Sequence, residues 1–167
     1  DKYGAKEVSD ALYGAVKCGY RLIDCAAVYQ NEAQIGEVLT QLMKDEIVTR
    51  EELCITSKVW NDMHGEGQVI QSCEKSLKDL RLDYIDIYFV HWPFPNYHAP
   101  GCSGEARNPD SKPFFVDDFM IAWRQCEQLV ESGKVKYIGM SNMTIPKLEA
   151  VLPLCKIKPA ALEMELH

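Results

Sequence analysis

Residues 84–91, Tyr-Ile-Asp-Ile-Tyr-Phe-Val-His, decide the fold because they form a nearly unbroken run of β-branched and aromatic residues. Such a run suits a strand that is buried on both faces, as in a parallel sheet covered by helices. Upstream, residues 67–80 carry apolar side chains at helical spacing, namely Val69, Cys73, Leu77 and Leu80. The sequence here predicts a helix followed by a buried parallel strand.

The same alternation of helix and strand extends along the whole chain. Helical spacing of apolar residues predicts further helices over 6–18, 31–44, 118–132 and the residues after Thr144, which has the character of an N-cap. Apolar runs predict further strands over 21–24, 53–59, 137–140 and 160–166. No linker-like composition separates these elements. We therefore expect residues 1–167 to form one α/β domain.

Two architectures accommodate parallel strands joined by helical crossovers, an open doubly wound sheet and a closed barrel. A doubly wound nucleotide-binding sheet should carry a Gly-x-Gly-x-x-Gly turn after its first strand, and this sequence has no such turn. Polar residues at the ends of many strands are instead typical of the (β/α)8 TIM-type barrel. Since the five predicted strands cannot close that barrel, we expect the chain to be its central portion, incomplete at both ends.

Composition and charge favour a small-molecule partner in a cytoplasmic protein. The formal net charge is −7, and no long run of Lys or Arg offers a surface for nucleic acid or an anionic membrane. No segment has 18 consecutive apolar residues, and the first residues lack the zones of a signal peptide. The seven cysteines, Cys102 among them, are scattered and never form Cys-x-x-Cys, so we expect reduced thiols and no metal site.

One long segment, residues 93–117, interrupts the alternation with five prolines and with Gly101 and Gly104. It begins two residues after His91. Loops of this length in compact domains usually act as lids or specificity elements, with disorder as the competing explanation. Both interpretations stay open at this point.

Four reactive side chains, Asp24, Tyr29, Lys58 and His91, lie where an apolar run ends or its loop begins. Each alone is more often an ion-pair partner or a capping group than a catalyst. An unpaired charge beside a sheet core is costly, so Asp24 and Lys58 should pair with each other. The cation would then lower the pKa of Tyr29 and make it a better proton donor. His91 would hold a substrate oxygen.

Proton donation to a developing alkoxide is half of carbonyl reduction, and the hydride must come from a nicotinamide cofactor because no side chain supplies one. The carboxamide of nicotinamide needs hydrogen-bond donors and acceptors. Ser141, Asn142 and Glu163, at the ends of the last two predicted strands, provide both. Capping of a strand-to-helix turn is a rival explanation for Ser141 and Asn142.

Several motifs in order resemble the aldo-keto reductase family, most nearly its aldose reductase type. They are Arg-Leu-Ile-Asp at 21–24, Tyr-Gln-Asn-Glu at 29–32, Thr-Ser-Lys-Val-Trp at 56–60, the segment 80–93 ending in His-Trp-Pro, Gly-Met-Ser-Asn at 139–142, and the segment 158–165. The resemblance implies an (α/β)8 barrel that reduces aldehydes or ketones with NADPH, NADH remaining possible, and we expect a monomer at full length.

The resemblance also implies roles for single residues. Tyr29 is the general acid, Asp24 and Lys58 tune it, and His91 orients the carbonyl. Asp24, Ser141, Asn142 and Glu163 match positions that hold the nicotinamide amide, and Trp60, His91 and Trp92 match residues that contact substrate. Glu163 departs from the family pattern, which has glutamine there.

Two other functions remain open from the sequence. One is a non-catalytic NADPH-binding regulatory or structural protein on the same barrel. The other is an aldolase in which Lys58 forms a Schiff base, a role that strand-borne lysines can serve. Phe114 and Phe115, like Trp60 and Trp92, could line an apolar pocket, or they could anchor the core.

Overall fold

The computed structural model describes residues 4–95, 108–109 and 111–165, which form a half-barrel of five parallel strands alternating with helices. The strands are β1 (Leu22–Asp24), β2 (Cys54–Val59), β3 (Ile85–Val90), β4 (Val135–Ser141) and β5 (Ala161–Glu163). The helices are α1 (Ala5–Lys17), α2 (Glu32–Lys44), α3 (Gln68–Leu80), α4 (Val116–Glu131) and α5 (Ile145–Val151). The fold class expected from the sequence is confirmed.

The strands lie side by side in chain order, β1-β2-β3-β4-β5, and every neighbouring pair is parallel. All five carboxyl ends therefore lie at one edge, which we call the carboxyl edge; the opposite edge is the amino edge. Asp24 is in register with Thr56, Lys58 with Phe89, and Ser141 with Glu163. Since side chains alternate between faces, Asp24, Thr56 and Lys58 share one face, called the inner face below.

Helices cover the other face of the sheet and form the core with it. Tyr88 of β3 is fully buried and its hydroxyl donates to Ser72 Oγ of α3 at 3.2 Å. Phe119 and Trp123 of α4 are also fully buried, and their rings stack with centroids 6.2 Å apart. Burying each such side chain stabilises the fold by about 1.5–3 kcal/mol. These contacts explain why the aromatic run at 84–91 becomes a covered strand.

One glycine sets the approach of two helices. At Gly36 of α2, an added Cβ would lie 2.3 Å from the backbone oxygen of Asp79 in α3. No Cβ fits at that distance, so the backbone of α2 packs directly on the end of α3. This close contact fixes the distance between α2 and the carboxyl-terminal end of α3.

The element boundaries differ from the expected ones by more than one residue in three places. β5 ends at Glu163, although the strand was expected to extend to 166, and residues 164–165 are not part of it. β4 begins at Val135, two residues early, because Val135 is in register with Ile85 although lysines flank it. α4 begins at Val116, also two residues before the expected start. Thr144 does precede α5 as its N-cap residue, but its side chain makes no capping hydrogen bond.

Four of the cysteines are buried free thiols, namely Cys25, Cys73, Cys126 and Cys155. Burial raises the pKa of the Cys73 thiol to about 12, which makes it a poor nucleophile. Cys102 and much of the proline-rich segment, including Gly101 and Gly104, lie outside the described residues, as does residue 166. In the part of the chain that the structure describes, no helix is long and apolar enough to cross a membrane.

Candidate active site

The structure brings the polar residues singled out in the sequence together at the carboxyl edge. Asp24 ends β1, Ser141 ends β4 and Glu163 ends β5, while Lys58 is the penultimate residue of β2. His91 follows β3, and Tyr29 ends a short 3-10 turn, Ala27–Tyr29, that follows β1. Parallel strands in chain order are the reason that residues far apart in sequence meet here.

Lys58 is the centre of this group and its side chain is fully buried. Its Nζ atom donates to Asp24 Oδ1 and Oδ2, each at 2.6 Å, and to the carbonyl oxygen of Cys25 at 3.1 Å. Glu163 Oε1 lies 3.3 Å from the same nitrogen. Burial lowers the pKa of Lys58, but the hydrogen bond and charge of Asp24 outweigh it, and the net pKa is raised. Lys58 is therefore an ammonium ion at neutral pH.

The state of Lys58 bears directly on the aldolase alternative. A Schiff base forms from the neutral amine, and enzymes that use one keep the lysine pKa low by desolvation or a neighbouring cation. Lys58 has the opposite surroundings, two carboxylates and a raised pKa. The geometry disfavours a nucleophilic role.

Tyr29 lies against Lys58, with the ammonium nitrogen 5.3 Å from the centre of its ring, and it is 38% exposed. Its pKa is raised because burial, Asp24 and Glu163 disfavour the phenolate more than the charge and hydrogen bond of Lys58 favour it. The expectation that Lys58 would lower this pKa below its ordinary value was wrong in net direction. Lys58 does oppose the rise, and Tyr29 holds its proton at neutral pH.

His91 faces Tyr29 across the edge. The two rings meet edge to face with centroids 6.1 Å apart, and the ring of Trp60 packs on the other side of His91 at 4.9 Å. The backbone of His91 is held at both ends: its N–H donates to Val59 O at 3.3 Å and its carbonyl accepts from Asn142 Nδ2 at 2.8 Å. Tyr29 and His91 thus present two hydrogen-bonding groups to one space.

Asn142 joins three strands. Besides the bond to His91, its Nδ2 donates to Ser141 Oγ at 3.1 Å, and its backbone N–H donates to Glu163 O at 3.0 Å. Its φ of 57° lies in the left-handed region, which asparagine tolerates better than most residues. These bonds give Asn142 a structural role that differs from the capping considered as a rival, since the N-cap residue of α5 is Thr144. They leave Asn142 Oδ1 as the group that this amide can offer to a ligand.

The four aromatic residues that the sequence suggested as pocket-lining side chains differ in burial and contacts. Trp60 is buried beside His91, and Trp92 is half-buried next to it in sequence. Phe114 packs on Phe119 of the core, with ring centroids 6.1 Å apart, so it is a core anchor, as one of the two interpretations held. Phe115 is 54% exposed and precedes α4.

Two features of the site were missed in the sequence. The hydroxyl of Thr56 donates to Asp24 Oδ1 at 2.5 Å, and the signal was available, since Thr56 lies two residues before Lys58 and thus on the same face. Glu32 is buried behind the sheet and accepts hydrogen bonds from Ser57 and Ser76. No local pattern distinguishes it from an ordinary acidic residue in the first turn of a helix.

No cluster of three or more metal-binding side chains occurs among residues 4–95, 108–109 and 111–165. The reactive groups that the carboxyl edge presents are a phenol, an imidazole and a buried ammonium ion flanked by carboxylates.

Comparison with known proteins gives one consistent family. The model of the Aldo/keto reductase family matches residues 1–167. The chain is 41% identical to aldose reductase B of Dictyostelium discoideum, with 98% of this chain and 55% of the relative covered. It is 40% identical to an NAD(P)H-dependent D-xylose reductase of Pachysolen tannophilus, with 97% and 52% covered.

The solved structures agree. An aldo-keto reductase of Bombyx mori in complex with NADP superposes with a TM-score of 0.84 at 35% identity, with 99% of this chain and 50% of that chain covered. The chain thus spans about half the length of the curated relatives it matches.

Proposed function

The chain belongs to the aldo/keto reductase family, and we propose that the full-length protein reduces aldehydes or ketones to alcohols, with hydride from NADPH and a proton from Tyr29. The observation that carries the proposal is the buried Lys58 ammonium ion, held by Asp24 and placed 5.3 Å from the ring of Tyr29, which is exposed to a ligand. A nearby cation lowers the cost of the negative charge that a phenol acquires when it gives up its proton.

In this proposal each residue has a distinct part in the reduction. The substrate carbonyl oxygen accepts hydrogen bonds from the Tyr29 hydroxyl and the His91 ring, and these bonds orient it. As negative charge develops on that oxygen, Tyr29 transfers its proton to it. Lys58 then stabilises the phenolate that remains, and Asp24 and Glu163 keep Lys58 charged. Trp60 and Trp92 supply apolar surface for the rest of the substrate.

The donor set at the carboxyl edge fits the carboxamide of a nicotinamide cofactor. The Ser141 hydroxyl can donate or accept, and Asn142 Oδ1, Asp24 and Glu163 can accept from the amide N–H groups. The cofactor would supply the hydride that no side chain carries. NADPH is the proposed cofactor because the Bombyx mori structure contains NADP, and NADH remains an alternative because the Pachysolen tannophilus reductase is named for both.

The test is Tyr29→Phe in the full-length protein. We expect kcat/KM for aldehyde reduction to fall at least about 100-fold, because general acid catalysis contributes about 10²–10⁴-fold. NADPH affinity, measured by quenching of protein fluorescence, should stay within about twofold of wild type, since a single hydroxyl outside the amide-binding group is removed.

The matched control is Tyr13→Phe, which removes a tyrosine hydroxyl that bonds Asp45 on the protein surface. This variant should keep wild-type turnover. Near-normal turnover in Tyr29→Phe would refute the assignment of the acid. NADPH binding by the wild-type protein without turnover of any compound in a broad aldehyde panel would instead support the non-catalytic alternative.

A further inference from the structure

Glu32 is a carboxylate buried where the sheet meets its helices, with 4% of its surface exposed. Its Oε1 accepts a hydrogen bond from Ser57 Oγ at 2.6 Å, and its Oε2 accepts one from Ser76 Oγ at 2.8 Å. Burying an ionisable group is costly unless hydrogen bonds compensate. An acid held by two hydroxyls in this place therefore performs a task that a core aliphatic residue would not.

The bond to Ser57 joins two segments of the site. Glu32 is the first residue of α2, three residues after Tyr29, and Ser57 immediately precedes Lys58 in β2. Because successive strand residues point to opposite faces, Ser57 points toward the helices and Lys58 toward the inner face. The bond thus connects the segment of Tyr29 to the segment of Lys58 on the helix side of the sheet. The side chains of Tyr29 and Lys58 meet on the inner face.

The segment between Tyr29 and Glu32 needs such an attachment. Gln30 has a φ of 55°, in the left-handed region, so the chain turns sharply directly after Tyr29. The ring of Tyr29 is 38% exposed, and it contacts the ring of His91 edge to face and the ammonium group of Lys58. The nearest anchor after this turn is the side chain of Glu32.

We propose that the hydrogen bond from Ser57 to Glu32 is a positioning link that sets the separation between the Tyr29 phenol and the Lys58 ammonium ion. The inference rests on the proposed function, in which that separation governs proton transfer. The second bond of Glu32 has a different role, because Ser76 lies in α3 and its hydroxyl connects α2 to α3 without touching β2.

The charges around both groups determine what loosening the link should do. Lys58 alone favours the phenolate of Tyr29, while Asp24 and Glu163 disfavour it, and His91 adjoins the ring. The interaction with Lys58 weakens as the separation grows. The pKa of Tyr29, already raised, should therefore rise further when the link is cut.

Glu32 itself has further charged neighbours in α3. Burial raises its pKa, the two serine hydroxyls lower it, Asp79 raises it and Lys75 lowers it, with a raised pKa as the net result. Ser57→Ala and Ser76→Ala each remove one of the two hydroxyl bonds, so any effect through the charge of Glu32 is common to both variants.

The experiment compares Ser57→Ala with its matched control Ser76→Ala in the full-length protein. Both serines are buried, and both lose one hydrogen bond to the same carboxylate. For Ser57→Ala we expect kcat to fall about tenfold, which corresponds to about 1.4 kcal/mol in the activation barrier. The high-pH limb of the kcat/KM profile should move to higher pH, and NADPH affinity should be unchanged. Ser76→Ala should keep kcat and the pH profile within twofold of wild type even if it melts earlier.

A second readout does not depend on turnover. The NMR signal of ring-labelled Tyr29 is identified by its loss in Tyr29→Phe. It should titrate at higher pH in Ser57→Ala than in the wild type, and its titration should be unchanged in Ser76→Ala. Should Ser57→Ala fail to fold, Ser57→Cys keeps nearly the same volume with a weaker donor and should shift the titration in the same direction. Equal titrations in both serine variants would overturn the link. Absence of carbonyl reduction in the wild-type protein would overturn the proposed function alone.

Discussion

Two ion networks, each built around one buried charged residue, lie at opposite edges of the same sheet, and their charges are arranged in the opposite sense. At the carboxyl edge one cation, Lys58, lies between two carboxylates, Asp24 and Glu163. At the amino edge one carboxylate, Asp86, lies between two cations, Arg50 at 2.7 Å and Lys136 at 3.0 Å. The two networks differ in whether their hydrogen bonding is closed.

We call the amino-edge network closed because its charged groups bond one another and the backbone, although Arg50 Nε has no hydrogen-bond partner and the Lys136 side chain is 47% exposed. Asp86 also accepts from the backbone N–H of Ile55 at 2.9 Å, and Arg50 donates to the carbonyls of Leu53 and Tyr84. The ring of Tyr84 lies 3.9 Å from the Arg50 guanidinium carbon. Through Asp86, this network connects β3 to Ile55 of β2 and to Lys136 of β4.

The carboxyl-edge network is open on one side. Beyond Lys58 lie the hydroxyl of Tyr29 and the ring of His91, both of which can hydrogen-bond a further molecule. The comparison teaches that a buried charge by itself does not mark an active site. The proposed site is marked by a buried charge beside a titratable group that remains within reach of a ligand.

Replacing each of the two lysines in turn with methionine is the most severe test of the difference between the two networks. Lys58→Met in the full-length protein should reduce kcat/KM for aldehydes at least about 100-fold, because the phenolate of Tyr29 loses its stabilising charge. Lys136→Met makes the same change at the amino edge and should leave kcat/KM within about twofold while costing about 1 kcal/mol of stability. Steady-state kinetics and urea unfolding measure the two effects. Equal losses of activity in both variants would contradict the division of roles.

Removing the carboxylate of the closed network should act on stability and leave turnover intact. Asp86→Ala leaves Arg50, Lys136 and the Ile55 N–H without their shared acceptor, and we expect a loss of about 3 kcal/mol. Asp10→Ala provides the control, since Asp10 pairs with Lys6 on the surface and such pairs contribute less than about 1 kcal/mol. Urea unfolding of the full-length variants gives both values; a loss no larger in Asp86→Ala than in Asp10→Ala would show that the network contributes nothing.

The smallest expected effect is on the pH dependence of stability. Burial raises the pKa of Asp86, but hydrogen bonds from Ile55, Arg50 and Lys136 outweigh it, and the folded pKa lies below the ordinary 3.8. The resulting stabilisation is fully present above the unfolded pKa and is lost as pH falls through the folded pKa. The difference in unfolding free energy between wild type and Asp86→Asn should therefore be constant from pH 7 to about 5 and shrink below pH 4. A difference that grows on acidification would reverse the sign of the assigned shift.

Much of the fold could be predicted because local patterns and global packing agree. The run at 84–91 is buried as β3, and the helical spacing over 67–80 places Val69, Cys73 and Leu80 in the core. The start of β4 was predicted two residues late, because Lys134 and Lys136 on either side of Val135 interrupt the apolar run that indicates a strand. Pairing with Ile85 of β3 overrides that local signal, and no sequence window contains both residues.

The residues of the candidate site could be predicted from the sequence to a similar extent. The Asp24 and Lys58 pair followed from the cost of burying either charge alone. The second carboxylate on Lys58, from Glu163, and the net rise in the Tyr29 pKa did not follow, since both depend on distances across the curved sheet and on burial.

The sequence by itself determined which elements form, their order, and that four reactive side chains end at one edge of a parallel sheet, because strand periodicity and chain direction are local properties. The tertiary structure decided which of those side chains touch. Register and curvature place Glu163 on Lys58 and leave Tyr29 exposed, and the packing of α2 places Glu32 on Ser57. The physical reason is that electrostatic and hydrogen-bond energies depend on separations of a few ångströms between residues distant in the chain.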